Sequence, residues 1–533
     1  MSDSPPRTRA AETESPDLIP TTPPPPRAWA MLPRMVALAW PVVLAYLLEM
    51  MIPVTALAVL GHLDSTEVLA GAALGTMFVN VTGMSLGFGL ATALDTLCSQ
   101  AVGARKLALV GVLAQRGALV LMAFAAVVIL GLWIHAERIL LALGQGAPQA
   151  AVAGRYIRYL IPSLPALLLV EVLKKVCFAL QIVRPQMVIM LCVNVLNVSA
   201  QVVAIHVLKM PYIAVPIIIS VTSVVTLVAL GGYLAGSGHV AAIWTGWSSE
   251  AFRDWAPFLR LGVPGLAMLC LEWWAFEVLA LEAGRLSTAD LAAQVVVLNI
   301  ASLAFMVPLG QSVAVSTLVG NFLGAAQPGH AKRAAYAAMV CVLATAVTVG
   351  SLLIGLRYQL ARAYTRNEHV VQLVARSLVV VGFFQLCDGT QAVCSGVIRG
   401  TGRQAIGALA NFLGYIVVGL PLGALLTFKV GLGIEGLWLG MTIGLLITSS
   451  FFASLVLRQD WQLWSEVAVR RSNEAAAGLA GPGSDRSGSE LATAPLLINS
   501  DGRARVSESG PESPAAFVID LELPDSIESA ESV

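Results

Sequence analysis

Three observations predict an all-α polytopic membrane protein, with about twelve transmembrane helices in two parallel six-helix repeats. Hydrophobic residues fill 57% of the 533 positions and charged residues only 12%, against about one quarter charged in a soluble globular domain. Apolar runs long enough to cross a bilayer, about 20 residues each, recur along the chain. The second half of the chain also repeats the first at a constant spacing.

Walking the hydropathy places spans near 36–60, 68–96, 117–134, 157–180, 187–207, 213–235, 261–283, 291–318, 334–356, 371–397, 405–428 and 434–457. The start, MSDSPPRTRAAETESPDLIPTTPPPPRAW, has no apolar core of a signal peptide and reads as a disordered tail over 1–34. Residues 35–235 form the first six-span lobe, 236–260 a connector and 261–460 the second lobe. The Ser-, Gly- and Glu-rich stretch 461–533 reads as a disordered acidic tail.

Orientation follows from basic residues beside the spans. Arg27, Arg34, Arg105, Lys106, Arg116, Arg184, Arg253, Arg260, Lys332, Arg333, Arg399, Arg403 and Arg458 gather on one side, and fewer on the other. That majority side is expected to be cytoplasmic, with both termini on it, and the plasma membrane is the expected location. All seven cysteines fall within or beside spans, which argues against a disulfide framework or a zinc site. The six histidines map to loops or span ends. No basic groove with interleaved aromatics suggests a nucleic-acid partner.

The repeat is the most informative pattern. Pro41, Glu49 and Gly61 pair with Pro264, Glu272 and Gly284, each 223 positions on. GFGLATALDTLCSQAVGA from Gly87 matches GQSVAVSTLVGNFLGA from Gly310, and VRPQ (183–186) pairs more weakly with TGRQ (401–404). Six spans is an even number, so both repeats begin on the same face and are parallel. Such an architecture places a substrate site between the lobes and predicts a transporter working by alternating access.

Intramembrane charges then mark the site. A carboxylate at the bilayer centre costs about 2.5–3.5 kcal/mol on insertion scales, so it normally faces a cavity or a partner. Glu272, in the run MLCLEWWAFEVLALEAG, falls near mid-membrane with no Lys or Arg one turn away, and is a candidate proton carrier. Glu277 lies five residues on, about 140° around the helix. Phe276 shares the face of Glu272, and Trp273 that of Glu277; a carboxylate beside an aromatic ring suits an organic cation. Glu49 is the repeat twin of Glu272, whereas Glu277 has none. Asp388, in FFQLCDGTQAVCSGVIRG, is again mid-span. Glu171 is one turn from Lys174 and Lys175 and fits a structural ion pair, and Asp95 fits a packing or gating contact. Prolines 41, 53, 264 and 308 fall within spans.

The stretches GHLDSTEVLAGAAL, NVTGMSLGFGLATALDTLCSQAVGA, CLEWWAFE, FMVPLGQSVAVSTLVGNFLGA and DGTQAVCSGVIRGTGRQ resemble the multidrug and toxin extrusion (MATE) family over about 36–460. The resemblance is strongest to its vertebrate branch of proton/organic-cation antiporters, through NVTGMSLGFGL, LEWWAFE and the GWS–DW–FLRL connector. It implies a V-shaped pair of six-helix lobes that exports organic cations, drugs and toxins in exchange for entering protons. It further implies coupling roles for Glu272, Glu277 and Asp388, a cavity position for Asn80, and a match between Lys175 and a lysine of the fourth span. Asp388 stands where close vertebrate relatives carry glutamate, and Asn299 where they carry another.

The expected cavity set is therefore Trp273, Trp274, Phe276, Asn80, Glu49 and Asn299, with Asp95, Glu171, Lys175 and Gln391 as further candidates. No cofactor is expected beyond a proton gradient, and the expected partners are small organic cations, protons and the lipid bilayer, with a monomer as functional unit. Sodium coupling and a lipid-linked precursor flippase are the alternatives, although a flippase would favour a cationic cavity. An enzyme is not expected, because no histidine lies at membrane depth and neither HExxH nor GxSxG occurs.

Overall fold

The computed structural model describes residues 28–63, 65–238, 243–478, 496–498 and 504–506. Most of the two expected tails therefore lies outside the described residues. Among the described residues, eleven helices are long and apolar enough to cross a membrane: Leu32–Gly61, Thr66–Gly103, Leu107–Trp133, Arg184–Val207, Ala214–Gly236, Trp255–Ala283, Thr288–Gly324, Pro328–Gly355, Glu368–Thr401, Gln404–Phe428 and Gly433–Arg458. Span four supplies the twelfth from two shorter pieces, Ala147–Leu160 and Ser163–Ala179. Pro162 interrupts it, and Glu171, Lys174 and Lys175 depress the hydropathy of its second piece.

In lipid, helices satisfy every backbone donor and acceptor internally, which is why runs rich in Ala, Leu and Val become uninterrupted helices here. Prolines 41 and 53 in span one, 264 in span seven and 308 in span eight are absorbed within continuous helices. Five-residue π turns widen span two at Asn80–Met84 and span five at Val203–Val207. An eight-residue one widens span eleven at Phe412–Gly419.

One buried cluster draws mainly on spans one to four, another on spans seven to twelve. The exceptions place the lobes against each other. At the start of span one, Met35 and Leu38 pack into a cluster otherwise built mostly from spans eight, nine, ten and twelve. At the start of span seven, Phe258 and Leu261 pack into the first lobe's cluster. These are repeat twins, 35 with 258 and 38 with 261, so each lobe inserts the root of its first helix into the other. This exchange occurs on the face that carries Leu32 and Arg458, called here the termini face.

Close approach at that face needs glycine. A Cβ on Gly324 of span eight would meet the carbonyl oxygen of Gln100 in span two at 2.1 Å, and one on Gly103 would meet that of Asn321 at 2.0 Å.

Two expectations about element boundaries are corrected. Span seven begins at Trp255, not 261, because Asp254 ends the connector and the apolar run WAPFLRL is already helical. The connector is tied down: Arg116 Nη2 donates to the Glu250 carbonyl (3.0 Å) and Gln115 Nε2 to that of Gly246 (2.8 Å). Residues 461–477, expected as the start of a disordered tail, form a helix. Asp460 caps it by accepting from the amides of Gln462 and Leu463. Trp461, Ser465, Ala468 and Ser472 recur at three- and four-residue spacing and are its buried residues. A short antiparallel pair, Leu496–Ile498 with Ala504–Val506, follows.

Candidate functional site

A cavity of about 510 Å³ lies between the lobes at mid-membrane depth, lined by spans from both. Its two walls are chemically different.

The wall from the second lobe carries Glu272, Glu277 and Asp388. Glu272 is 7% and Asp388 3% exposed. Among the described residues no ion pair reaches any of the three. Glu272 Oε2 accepts one hydrogen bond, from Gln391 Nε2 at 3.3 Å. That nitrogen also donates to Asn411 Oδ1 (3.2 Å), and Asn411 Nδ2 donates to the Met268 carbonyl (2.9 Å), so spans ten and eleven fix Glu272 through two amides. Span seven is unbroken, yet Glu277 also borders the cavity. Behind them Phe276 stacks edge-on with Phe384 and Tyr415, at centroid distances of 6.0 and 6.3 Å, and Phe384 with Trp438 at 5.4 Å. Trp438 Nε1 is satisfied by Gln294 Oε1 at 2.8 Å, while the buried Tyr415 hydroxyl has no hydrogen-bond partner among the described residues.

The wall from the first lobe carries as many carboxylates but leaves none of them unpaired. Lys174 Nζ lies 3.0 Å from Glu49 and 2.8 Å from Glu171. Lys175 Nζ lies 3.3 Å from Glu171 and 2.9 Å from Asp95, and Asp95 reaches Arg399 of the second lobe at 3.6 Å. Three acids thus meet three bases in one continuous chain, with a formal sum of zero. Asn80 lines the same wall where its π turn begins. Such turns recur at functional positions because they aim a side chain off the regular helical pitch.

Towards the termini face the cavity is shut. Gln404 Nε2 donates to Thr96 Oγ1 (2.8 Å), whose hydroxyl donates to the Arg399 carbonyl. Gln100 Nε2 donates to the Gly400 carbonyl (3.0 Å), and Asn321 Nδ2 to that of Ala179 (3.0 Å). The terminal helix joins in: Ser465 Oγ donates to the Leu323 carbonyl (3.2 Å), Arg471 Nη1 to Gln100 Oε1 (2.9 Å), and Lys106 Nζ to Asn473 Oδ1 (2.6 Å). These inter-lobe hydrogen bonds all lie on the termini side of the cavity.

Of the expected residues, the structure gathers Glu272, Glu277, Asp388, Trp273, Phe276, Asn80, Glu49, Asp95, Glu171 and Lys175 around one cavity. Gln391 stands behind Glu272. Two are corrected. Trp274 is 38% exposed and turned away from the cavity, because one helical step carries it 100° past Trp273. Asn299 is outside the lining and donates to the Val295 carbonyl of its own helix (2.9 Å). Arg399, expected in a loop, is buried inside span ten, where Nη2 donates to Ser312 Oγ at 2.9 Å. Sequence reasoning missed Asn411, whose amide inside the apolar run GALANFLGY was a usable signal. It also missed Tyr46 and Tyr415, which read as ordinary aromatics in a span.

A cavity between two parallel lobes, closed at one face and holding unpaired carboxylates, fits a membrane transporter. The MatE family model matches the chain twice, over residues 41–203 and 264–425. The chain belongs to the multidrug and toxin extrusion family. It is 36% identical over 439 residues to multidrug and toxin extrusion protein 1 of Danio rerio, covering 82% of this chain and 74% of that one. With multidrug and toxin extrusion protein 2 of Homo sapiens it shares 34% identity over 472 residues, 82% and 78% of the two chains. Among solved structures, the eukaryotic MATE transporter AtDTX14 superposes with a TM-score of 0.78 at 28% identity, covering 84% of this chain and 99% of that one.

Proposed function

We propose that this transporter exports organic cations in exchange for protons, with Glu272, Glu277 and Asp388 as the shared binding site. The observation that carries the reading is the asymmetry of the cavity: its only unpaired carboxylates among the described residues stand on the second-lobe wall, beside Trp273 and the Phe276 cluster. When the cavity faces away from the termini, a proton taken up by Glu272 or Asp388 removes the counter-charge that held the cation, and the cation leaves. When it faces the termini, the proton is lost and a new cation binds. One positive charge enters and one leaves the site for each monovalent substrate, so exchange is electroneutral. Majority placement of basic residues supports a cytoplasmic termini face, and we place the protein in the plasma membrane as a functional monomer.

The test uses purified protein in acid-loaded vesicles and follows tetraethylammonium uptake against an imposed pH gradient. Uptake should follow the gradient, be insensitive to replacing sodium with choline-free potassium buffer, and be lost in E272Q. Uptake that ignores the gradient, requires sodium or persists unchanged in E272Q refutes the proposal.

A further inference from the structure

The two lobes descend from one plan, yet only one wall of the cavity is open to a cation. Glu49 is the twin of Glu272 and lines the same cavity, with its side chain 27% exposed. The difference between the twins is Lys174. Its side chain is 2% exposed, and its ammonium lies 3.0 Å from Glu49, 2.8 Å from Glu171, and 4.9 Å from the centre of the Tyr46 ring. Two carboxylates and an aromatic face are the components of an organic-cation site. Here that site exists, and a side chain of the protein occupies it.

We propose that Lys174 is a built-in cation that fills the first-lobe counterpart of the coupling site and thereby keeps a charged group of the substrate off the first-lobe wall. The inference rests on the antiport reading above and names a specificity determinant for it. The repeat shows that the second lobe has no such plug. The spacing between repeats falls from 223 at Gly61/Gly284 to 218 at Val183/Thr401, so the counterpart of Lys174 lies between 392 and 397. Those residues are Ala392, Val393, Cys394, Ser395, Gly396 and Val397, none of them basic. Glu272 therefore meets its cation from solution, and Glu49 meets a tethered one. Vacating the first site gives the cavity a carboxylate on each wall, an arrangement that suits a bis-quaternary cation with a charged group at either end.

The variant that vacates the site without changing the cluster's sum of charges is E171Q/K174Q. It removes one acid and one base, and leaves Lys175 on Asp95 at 2.9 Å. In reconstituted full-length protein, initial rates below saturation are compared for tetraethylammonium and for the dications hexamethonium and decamethonium. The ratio of dication to monocation transport should rise about tenfold in E171Q/K174Q, return to the wild-type value when E49Q is added, and stay at that value in K174R. An unchanged ratio in a variant that still moves tetraethylammonium overturns the proposal, as does a gain that survives E49Q. If the double variant does not reconstitute, K174Q alone is read by equilibrium binding of labelled decamethonium in detergent, with the same two outcomes. Absence of proton-driven tetraethylammonium uptake by the wild type would instead refute the antiport reading, and is seen before any Lys174 variant is made.

Discussion

Replacing Gln100 with alanine should push the transporter towards opening at its termini face. The Gln100 side chain is 1% exposed and makes two contacts that exist only while that face is closed. Nε2 donates to the Gly400 carbonyl across the lobe boundary (3.0 Å), and Oε1 accepts from Arg471 of the terminal helix (2.9 Å). A neutral hydrogen bond contributes about 0.5–1.5 kcal/mol net and one to a charged group about 1.5–3 kcal/mol. In the open state the freed carbonyl and guanidinium meet water, so the whole loss falls on the closed state. Taking about 2–3 kcal/mol for the pair, the ratio of closed to open should fall roughly 30- to 150-fold. The assay is double electron–electron resonance between nitroxides at Leu208 and Val430. These sit in loops of the two lobes on the face opposite the termini and are 63% and 61% exposed. The exposed native Cys192 must first be replaced. Alanine at 100 should move population from the long to the short distance, since the outer ends approach as the termini ends part. A distance distribution identical to wild type, in protein that elutes as a folded species, refutes the assignment of these bonds to the gate.

Three further changes probe the gate and the cavity wall. Gly324→Val places a Cβ where the Gln100 carbonyl already stands, 2.1 Å away, and should prevent closure of the termini face, read as persistent labelling of a cysteine introduced at Thr96. Trp273→Ala removes a ring from the cavity wall, and at about 0.5–2 kcal/mol for a cation over an aromatic face should raise KM for tetraethylammonium roughly 2- to 30-fold. Trp274→Ala, which alters a surface turned outward, should change it less than twofold; equal effects of the two would refute the placement of the rings.

How much of this was legible in the sequence depended on the kind of signal. The spans, the repeat and the three acids of the second lobe are periodic or costly features, and a bilayer leaves little freedom in where such residues go. Trp274 shows the limit of composition: WW marks an aromatic wall, and only the helix's rotation about its axis decides which ring meets the cavity. Arg399 shows the limit of the charge rule. Span ten runs to Thr401, so a basic residue near the end of a span is counted with the loops although its guanidinium is buried on Ser312. The helix 461–477 was hidden because its apolar positions are few and spaced for one narrow face, a pattern that stands out only when a partner surface is known.

The exchanged helix roots and the paired charges together explain why symmetry in this fold serves motion while asymmetry serves chemistry. Met35 with Leu38 and Phe258 with Leu261 make the same contact twice, so a rocking of one lobe on the other would disturb both roots alike. In lipid such contacts gain little from burial itself, because the tails are as apolar as the side chains; close packing and hydrogen bonds carry them. Packing of this kind tolerates two discrete arrangements more readily than a gradual deformation. The charges depart from the twofold plan where a second coupled site would be a liability. If Glu49 and Glu272 both exchanged protons for cations, the cavity could turn over half-loaded, and protons could cross without export. Under the antiport proposed above, a lysine fixed on Glu49 removes one of the two loading steps while keeping the carboxylate that the repeat supplied, and leaves the gradient to act through Glu272 and its neighbours.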